Sequence, residues 1–231
     1  MKNLKLLRIQ FLLIALMLLI YGCKKNSILT ESQPPIESKD IFWQFANGPS
    51  EDYVLSFAVH SSGRTFVGTL YGGLYHFDSD NNSWVQLHLG GSWNDARTIA
   101  IDKNGILYVG TGGGNIYRST DVGEHWTNVA SNLTPDFITC ILVNSSNYVF
   151  AGSNTGIFRS TDNGATWVKT NSGIVSGSVV YALVETSNGA IIAGTDGGSG
   201  LFRSTDNGNN WTQHSASINS IRTISLAVCN N

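Results

Sequence analysis

Short apolar segments alternate with polar, glycine-rich turns along most of this 231-residue chain. Four such segments recur in every stretch of about 42 residues, and each is short and rich in Val, Ile, Phe and Tyr. A Gly followed by Thr or Ser recurs at an interval of 42 residues, at Gly68, Gly110, Gly152 and Gly194. No segment of useful length has the period of an amphipathic helix, so the pattern predicts short β-strands joined by tight turns.

This repeat predicts an all-β fold, a β-propeller built from four-stranded antiparallel blades. Four strands in a unit of about 42 residues are typical of propeller blades. One blade cannot bury both of its faces, so successive blades must pack face to face around an axis. We expect the first strand of each blade to line the axis and the fourth to lie outermost. Four whole blades span residues of about 53–94, 95–136, 137–177 and 178–220.

Partial blades are expected at both ends of this domain, which we place at residues 41–231. The segment 41–45 carries Trp43, which precedes Trp84 by 41 residues and matches the outermost strand of a blade. Residues 221–231 match the innermost strand of a fifth blade. The two strands between them have no counterpart, so we expect a chain truncated relative to a propeller of five or more blades.

The first 22 residues are typical of a bacterial export signal. Three basic residues precede an apolar run from Phe11 to Ile20, which is the length of a signal core and short for a membrane span. The run ends in Tyr-Gly-Cys, which resembles a lipoprotein signal and implies lipidation of Cys23. An uncleaved membrane anchor is the alternative. Residues 23–40 are polar and are predicted to form a flexible tether. We therefore expect an exported protein that is anchored by its lipid to a bacterial membrane, namely the outer membrane.

Composition excludes some classes of partner. Without the signal the chain has 11 basic and 16 acidic residues, a net charge of −5, and this balance argues against nucleic acid. Cys140 and Cys229 lie at unrelated repeat positions, so we predict two free thiols, with Cys140 buried in a strand. The five His residues show no ligand spacing. We therefore predict no metal site and no cofactor.

The most conspicuous motif is Ser-Thr-Asp-x-Gly-x-x-Trp, which occurs three times at the turn between the third and fourth strands. Its carboxylate can accept backbone N–H groups of its own turn, its Gly permits a special backbone conformation, and its Trp can pack against the blade. Recurrence in successive blades favours a structural role over calcium binding, for which one carboxylate per loop is a weak ligand set. The predicted structural positions are Ser119, Asp121, Gly123, Trp126, Ser160, Asp162, Gly164, Trp167, Ser204, Asp206, Gly208 and Trp211.

These units resemble the Asp-box (BNR) repeat, whose families include sialidases, xyloglucan-type glycosidases, sortilin-like receptors and photosystem II assembly factors. The first blade is also similar to the propeller repeats of periplasmic two-component sensors. A sialidase relationship would imply an arginine cluster, a Tyr nucleophile and an acid Asp, but the Arg-Ile/Leu-Pro motif expected near the domain start is absent from this sequence. The arginines Arg118, Arg159 and Arg203 follow the repeat, and we interpret them as residues on the outer face of a strand.

Function is expected where the repeat is broken, on the side opposite the motif turns. Loops between second and third strands and connections between blades meet there, a side we call the loop face. Its candidate ligand residues are Tyr71, Trp93, Asp95, Asp136 and Asp196. Trp93 is the one domain Trp outside the period, and its polar neighbours suit stacking on a sugar ring; packing between blades is the alternative.

Two functions follow from these residues. The favoured one is a non-catalytic binding or assembly module that recognises a glycan or a protein partner. The alternative is a glycoside hydrolase, sialidase-like or xyloglucanase-like, or an inactive fragment of one, because a pair of carboxylates at a suitable separation performs that chemistry. The sequence does not give the distances among Asp95, Asp136 and Asp196, so it leaves open whether the protein is an enzyme.

Overall fold

The computed structural model describes residues 52–91, 95–130, 133, 137–196, 200–215 and 222–228. Within these residues the chain forms sixteen strands and no helix. No helix able to cross a membrane therefore occurs in this part of the chain. The predicted signal, Cys23, the tether and Trp43 all lie outside the described residues.

The strands form four sheets, one for each predicted blade. Blade 1 comprises β1 (Val54–Val59), β2 (Thr65–Thr69), β3 (Leu74–Asp78) and β4 (Ser83–Leu87). Blade 2 comprises β5 (Ala96–Ile101), β6 (Leu107–Thr111), β7 (Ile116–Ser119) and β8 (Thr127–Asn128). Blade 3 comprises β9 (Ile138–Val143), β10 (Val149–Ser153), β11 (Gly156–Ser160) and β12 (Val168–Lys169). Blade 4 comprises β13 (Val180–Glu185), β14 (Ile191–Thr195), β15 (Leu201–Ser204) and β16 (Thr212–Ser215).

In each sheet the strands lie in chain order and pair antiparallel with their neighbours. The first strands of consecutive blades lie beside one another, so each blade packs on the next through its innermost strand. This arrangement confirms the predicted all-β fold with four-stranded antiparallel propeller blades.

The recurring Gly of the second strand marks a close approach between blades. A Cβ on Gly110 would lie 2.5 Å from the side chain of Ile138, which belongs to the first strand of the next blade. A Cβ on Gly194 would lie 2.8 Å from Thr223. The 42-residue interval of these glycines therefore reflects one contact repeated from blade to blade, where a side chain would hold the sheets apart.

The apolar core is divided into three clusters, one at each junction between blades. Phe66 and Leu74 of blade 1 pack with Leu107 and Val109 of blade 2. The second cluster lies between blades 2 and 3 and includes Tyr108 and Ile116 of blade 2. The third lies between blades 3 and 4 and includes Phe150 and Ile157 of blade 3. Each blade thus has an incoming face toward the preceding blade and an outgoing face toward the following one.

Residues 222–226 lie against the outgoing face of blade 4. The Thr223 N–H donates to the Thr195 carbonyl at 3.1 Å, beside Gly194. This segment occupies the position that the first strand of the following blade holds at the other junctions, although its residues form no regular strand.

Candidate functional site

The three motif turns, residues 119–126, 160–167 and 204–211, share one hydrogen-bonded geometry, and we call them the box turns. In the middle turn Asp162 accepts the Thr166 hydroxyl at 2.6 Å and the Thr166 N–H at 2.8 Å. The Ser160 hydroxyl donates to Asp162 at 2.8 Å and accepts the Gly164 N–H at 2.7 Å. The bonds from Thr166, and then that from Ser160, lower the pKa of Asp162 to about 2.

The other two box turns repeat these contacts. Asp121 accepts the His125 N–H and Asp206 accepts the Asn210 N–H, each at 2.9 Å. Both carboxyl groups have lowered pKa values, mainly because of these backbone hydrogen bonds. Each carboxylate is committed to its own turn, and the described residues contain no group of three or more His, Cys, Asp or Glu that could hold a metal ion.

The indole of the box turn reaches the preceding blade. Trp167 Nε1 donates to the Val129 carbonyl at 2.8 Å, and Trp211 Nε1 donates to the Thr170 carbonyl at 2.9 Å. Both carbonyls directly follow the outermost strand of the preceding blade. Trp126 differs, because its indole donates to the Gly123 carbonyl of its own turn at 3.1 Å. A box Trp therefore closes its own turn, joins two blades, or does both.

The periodic arginines join blades in the opposite direction. Arg118 Nη1 donates to the Asn163 carbonyl at 2.9 Å, and Arg159 Nη1 donates to the Asn207 carbonyl at 2.5 Å. Both carbonyls belong to a box-turn residue in the left-handed conformation, with φ of 57° and 55°. The interpretation of these arginines as outer-face residues missed this contact, because the acceptor lies in the next repeat.

Blade 1 makes the same contact with a different arginine. His76 holds the third-strand position that Arg118 holds in blade 2, and Arg64, from the turn after β1, supplies the guanidinium. Arg64 Nη1 donates to the left-handed Val122 carbonyl at 2.9 Å and pairs with Glu124 at 2.5 Å, while its Nε contacts His76 Nδ1 at 3.2 Å. The non-periodic Arg64 therefore replaces a missing periodic one.

A polar cavity of about 450 Å³ adjoins this arginine, on the box-turn side of blade 1. Ser62, Arg64, His76 and Asp78 line it. Asp78 is tied to its own turn, since it accepts the Asn81 amide at 2.7 Å and the Asp80 N–H at 3.0 Å. Sequence reasoning had placed function on the opposite side and gave no signal for this cavity.

The predicted carboxylates of the loop face act within their own blades. Asp95 is 8% exposed, accepts the Gly112 N–H at 2.7 Å and pairs with Arg97 Nε at 2.9 Å. Asp196 accepts the Val179 N–H at 3.0 Å. Both side chains thus tie the entry of a first strand to the loop after the second strand of the same blade, and no contact brings these two carboxylates together.

Among the predicted residues that the structure describes, Tyr71 is the most open to solvent, at 71% exposure. Its N–H donates to Asp52 at 3.0 Å, and Asp52 also accepts the N–H groups of Gly72 and of Tyr53, the latter at 2.7 Å. Tyr53 is 64% exposed, and its carbonyl accepts the Leu70 N–H at 3.0 Å. One carboxylate therefore holds two exposed tyrosines on neighbouring backbone segments. Sequence reasoning overlooked Asp52 and Tyr53.

Two further predicted residues, Trp93 and Asp136, lie outside the described residues. The loop face that can be described therefore comprises Tyr53 and Tyr71 over Asp52, the buried Asp95 with its partner Arg97, and Asp196.

Comparison with solved structures finds propellers from larger proteins. The extracellular domain of BT4673 from B. thetaiotaomicron has a TM-score of 0.60 at 19% identity, over 73% of this chain and 23% of that one. PorZ, a bacterial surface component of the type-IX secretion system of Porphyromonas gingivalis, has a TM-score of 0.63 at 15% identity, over 79% and 30%. YCF48 bound to D1 peptide has a TM-score of 0.57 at 16% identity, over 72% and 55%. This chain thus spans about a quarter to just over half of their lengths, and the likeness shows the fold alone.

The family of the chain follows from its sequence. No curated protein matches it. The sequence model described as the DUF6242 beta propeller domain matches residues 40–175, which is more than half of the chain and includes the first three blades. The chain therefore belongs to the DUF6242 β-propeller domain family.

Proposed function

We propose that this domain is a non-catalytic binding or assembly module of an exported protein, and that its loop face contacts a protein partner. The observation that carries the proposal is the pair of tyrosines, Tyr53 and Tyr71, which are 64% and 71% exposed above a backbone fixed by Asp52. Tyrosines contribute large contact areas at low cost in side-chain entropy and are enriched at the centres of protein interfaces.

The hydrogen-bonded backbone beneath the two tyrosines supports their proposed role as a binding surface. The Asp52 carboxylate accepts three N–H groups from two segments, so that both rings extend from a fixed base. A preformed site loses less conformational entropy when it binds. Exposed tyrosines also stack on sugar rings, and a glycan is therefore the second candidate for the same surface.

Two of the structurally similar proteins support a binding or assembly role. YCF48 was solved bound to a peptide, and PorZ is described as a surface component of a secretion system. From the peptide complex of YCF48 we infer for this chain only that its partner is a protein, without specifying which one. We also infer export, with lipidation at Cys23; replacement of Cys23 by Ser should then abolish both the incorporation of radiolabelled palmitate and recovery in the membrane fraction.

Photo-crosslinking in the envelope of the native host tests the loop face. A photoreactive phenylalanine analogue at position 71 should yield a discrete adduct after irradiation, whereas the same analogue at position 168 should not. Val168 is 54% exposed on the outermost strand of blade 3 and is a matched exposed control. Equal labelling at both positions would contradict the proposal.

The purified adduct partner then gives the quantitative test. Tyr53→Ala and Tyr71→Ala should each weaken its binding to the full-length chain about tenfold or more, while Val168→Ala leaves the affinity unchanged. If the crosslinked species is a glycan-bearing molecule whose binding is lost after enzymatic deglycosylation, the glycan candidate replaces the protein one.

The glycoside hydrolase alternative makes a different prediction. Asp95 and Asp196 already accept backbone N–H groups, and Asp95 is buried against Arg97, so neither is placed as a free acid or base. We expect no turnover of aryl sialosides or xyloglucan by the full-length chain. Turnover that disappears in Asp95→Asn without loss of the fold would overturn the non-catalytic proposal.

A further inference from the structure

We propose that blade 1 of one molecule docks on blade 4 of a second copy, head to tail, through the same contacts that join consecutive blades. The incoming face of blade 1 lacks a partner among the described residues, the outgoing face of blade 4 is met there only by residues 222–226, and the two faces carry complementary groups of the junction. This inference uses neither the loop face nor Tyr53 and Tyr71, so it is independent of the proposed function.

The incoming face of blade 1 exposes an apolar row. Phe57 and Val59 of β1 are 42% and 56% exposed. Their counterparts in blade 2, Ile99 and Ile101, are partly buried and pack against Phe66 and its neighbours in blade 1. In blades 2, 3 and 4 the corresponding strand face is covered by the preceding blade. The exposed apolar face of blade 1 is therefore a contact surface.

One polar group on this face also lacks its usual partner. The Trp84 indole N–H is buried without a hydrogen bond among the described residues, whereas Trp167 and Trp211 donate to the preceding blade. Blade 1 therefore offers one unused donor on this face.

Blade 4 has the matching groups on its outgoing face. Arg203 holds the position of Arg118 and Arg159, and its guanidinium makes no hydrogen bond or ion pair within the described residues. Ile192 and Leu201 hold the positions of Phe150 and Ile157, which are fully buried, yet both are partly exposed. His214 holds the position of the carbonyl acceptors Val129 and Thr170.

These groups pair by the rules of the other junctions. The Trp84 indole of one copy would donate to the His214 carbonyl of the other, as Trp167 and Trp211 donate to the preceding blade. Arg203 of that other copy would face the turn between β3 and β4, as Arg118 and Arg159 face the box turn of the next blade. Phe57 and Val59 would cover Ile192 and Leu201. A buried indole N–H without an acceptor carries an energetic cost, which such docking would relieve.

Residues 222–226 compete for the inner part of the same surface. One backbone hydrogen bond between described residues, from Thr223 N to Thr195 O, ties this segment to blade 4. The first strand of a docked copy takes that place, so the segment must be displaced. The replacement Thr223→Pro removes the donating N–H and should strengthen the association.

Sedimentation velocity of the full-length chain across a wide concentration range tests this contact. The wild type should form larger species as concentration rises. Phe57→Glu and Arg203→Glu, which block opposite faces, should each remain monomeric, and their equimolar mixture should form dimers and nothing larger, because one intact junction remains. Val168→Glu, on an exposed outer strand, should associate like the wild type.

Several results would overturn the proposal. They are a wild type that stays monomeric at every concentration, a mixture of the two blocked variants that stays monomeric, or an Arg203→Glu variant that associates like the wild type. Trp84→Phe guards against misfolding as an explanation, since it keeps an aromatic ring beside Phe77 while it removes the unpartnered indole N–H. It should raise the dissociation constant severalfold while the circular dichroism spectrum stays unchanged.

Discussion

At the residue scale, Asp162 shows how a side chain that is open to water can still organise the backbone. Its carboxylate accepts three hydrogen bonds within one turn, and those bonds lower its pKa to about 2. In the unfolded chain an Asp has a pKa of about 3.9. The ionised form is therefore favoured by folding, and the turn depends on that charge.

The lowered pKa of Asp162 predicts a loss of stability in acid. Its contribution is fully present above about pH 4 and is lost as the pH falls through about 2, because the unfolded chain binds the proton first. Asp121 and Asp206 act in the same sense. The melting temperature should fall across this range in the wild type and fall less steeply in Asp162→Asn. Equal slopes in the two proteins would show that the turn carboxylate does not couple folding to pH.

For Cys140, in contrast to the titrating Asp162, we predict a thiol that does not react in the native chain. Its sulfur lies 3.9 Å from the Val180 carbonyl, and desolvation raises the pKa of the thiol to about 12. Desolvation therefore suppresses the thiolate, which is the reactive form of a cysteine. In a chain with Cys23→Ser and Cys229→Ser, a disulfide reagent should label Cys140 only after denaturant is added. Rapid labelling of the native chain would refute the burial of this sulfur.

At the element scale, the junction between blades depends on an arginine and a left-handed carbonyl. Arg118→Ala should lower the free energy of unfolding by about 1.5–3 kcal/mol, since a hydrogen bond from a charged group to a partly buried carbonyl is lost. Arg203→Ala is the matched control, because the same position in blade 4 has no partner among the described residues. Urea unfolding in dilute solution compares the two variants. A loss of similar size in both would mean that the arginine stem, and not its hydrogen bond, stabilises the blade.

The strands and turns could be predicted from the sequence, whereas the contacts between blades could not. The apolar segments and the recurring Gly located all four sheets because strand pairing within a blade is local. The hydrogen bonds of Asp162 are also local, since donors and acceptor lie within one motif. Arg118 and Asn163 are 45 residues apart, and nothing in either neighbourhood indicates that they meet. Arg64 could not be recognised, because it fills a repeat position from a different turn.

The candidate site was only partly predictable for a related reason. Tyr71 stood out as a loop residue, and the structure places it in solvent. Asp95 was a candidate ligand residue from its sequence position, and the structure shows that its carboxylate accepts the Gly112 N–H of its own blade. A carboxylate beside a glycine loop is equally compatible with catalysis and with such a cap. Only the geometry separates the two, and it directs attention to Asp52 and the tyrosines that it fixes.

At the scale of the whole molecule, the apolar core is not one body but three clusters, each shared by two blades. Stability should therefore depend on the junctions between neighbouring blades more than on the sheets alone. Gly208 lies in one such junction, where a Cβ would be 2.8 Å from the Phe150 ring. Gly63 has a similar positive φ, 88° against 81°, but a Cβ there would meet no atom within 4 Å.

These two glycines separate backbone strain from packing between blades. Gly63→Ala should cost about 1 kcal/mol, because its residue must adopt a left-handed conformation. Gly208→Ala should cost that and a further 1–3 kcal/mol or so, because the new methyl group pushes blade 4 away from Phe150. Urea unfolding followed by tryptophan fluorescence measures both. A single transition that shifts as a whole in Gly208→Ala would show that the junction couples the blades, whereas a separate early transition would show that blade 4 unfolds alone. Equal shifts in the two variants would contradict the assignment of stability to the junction.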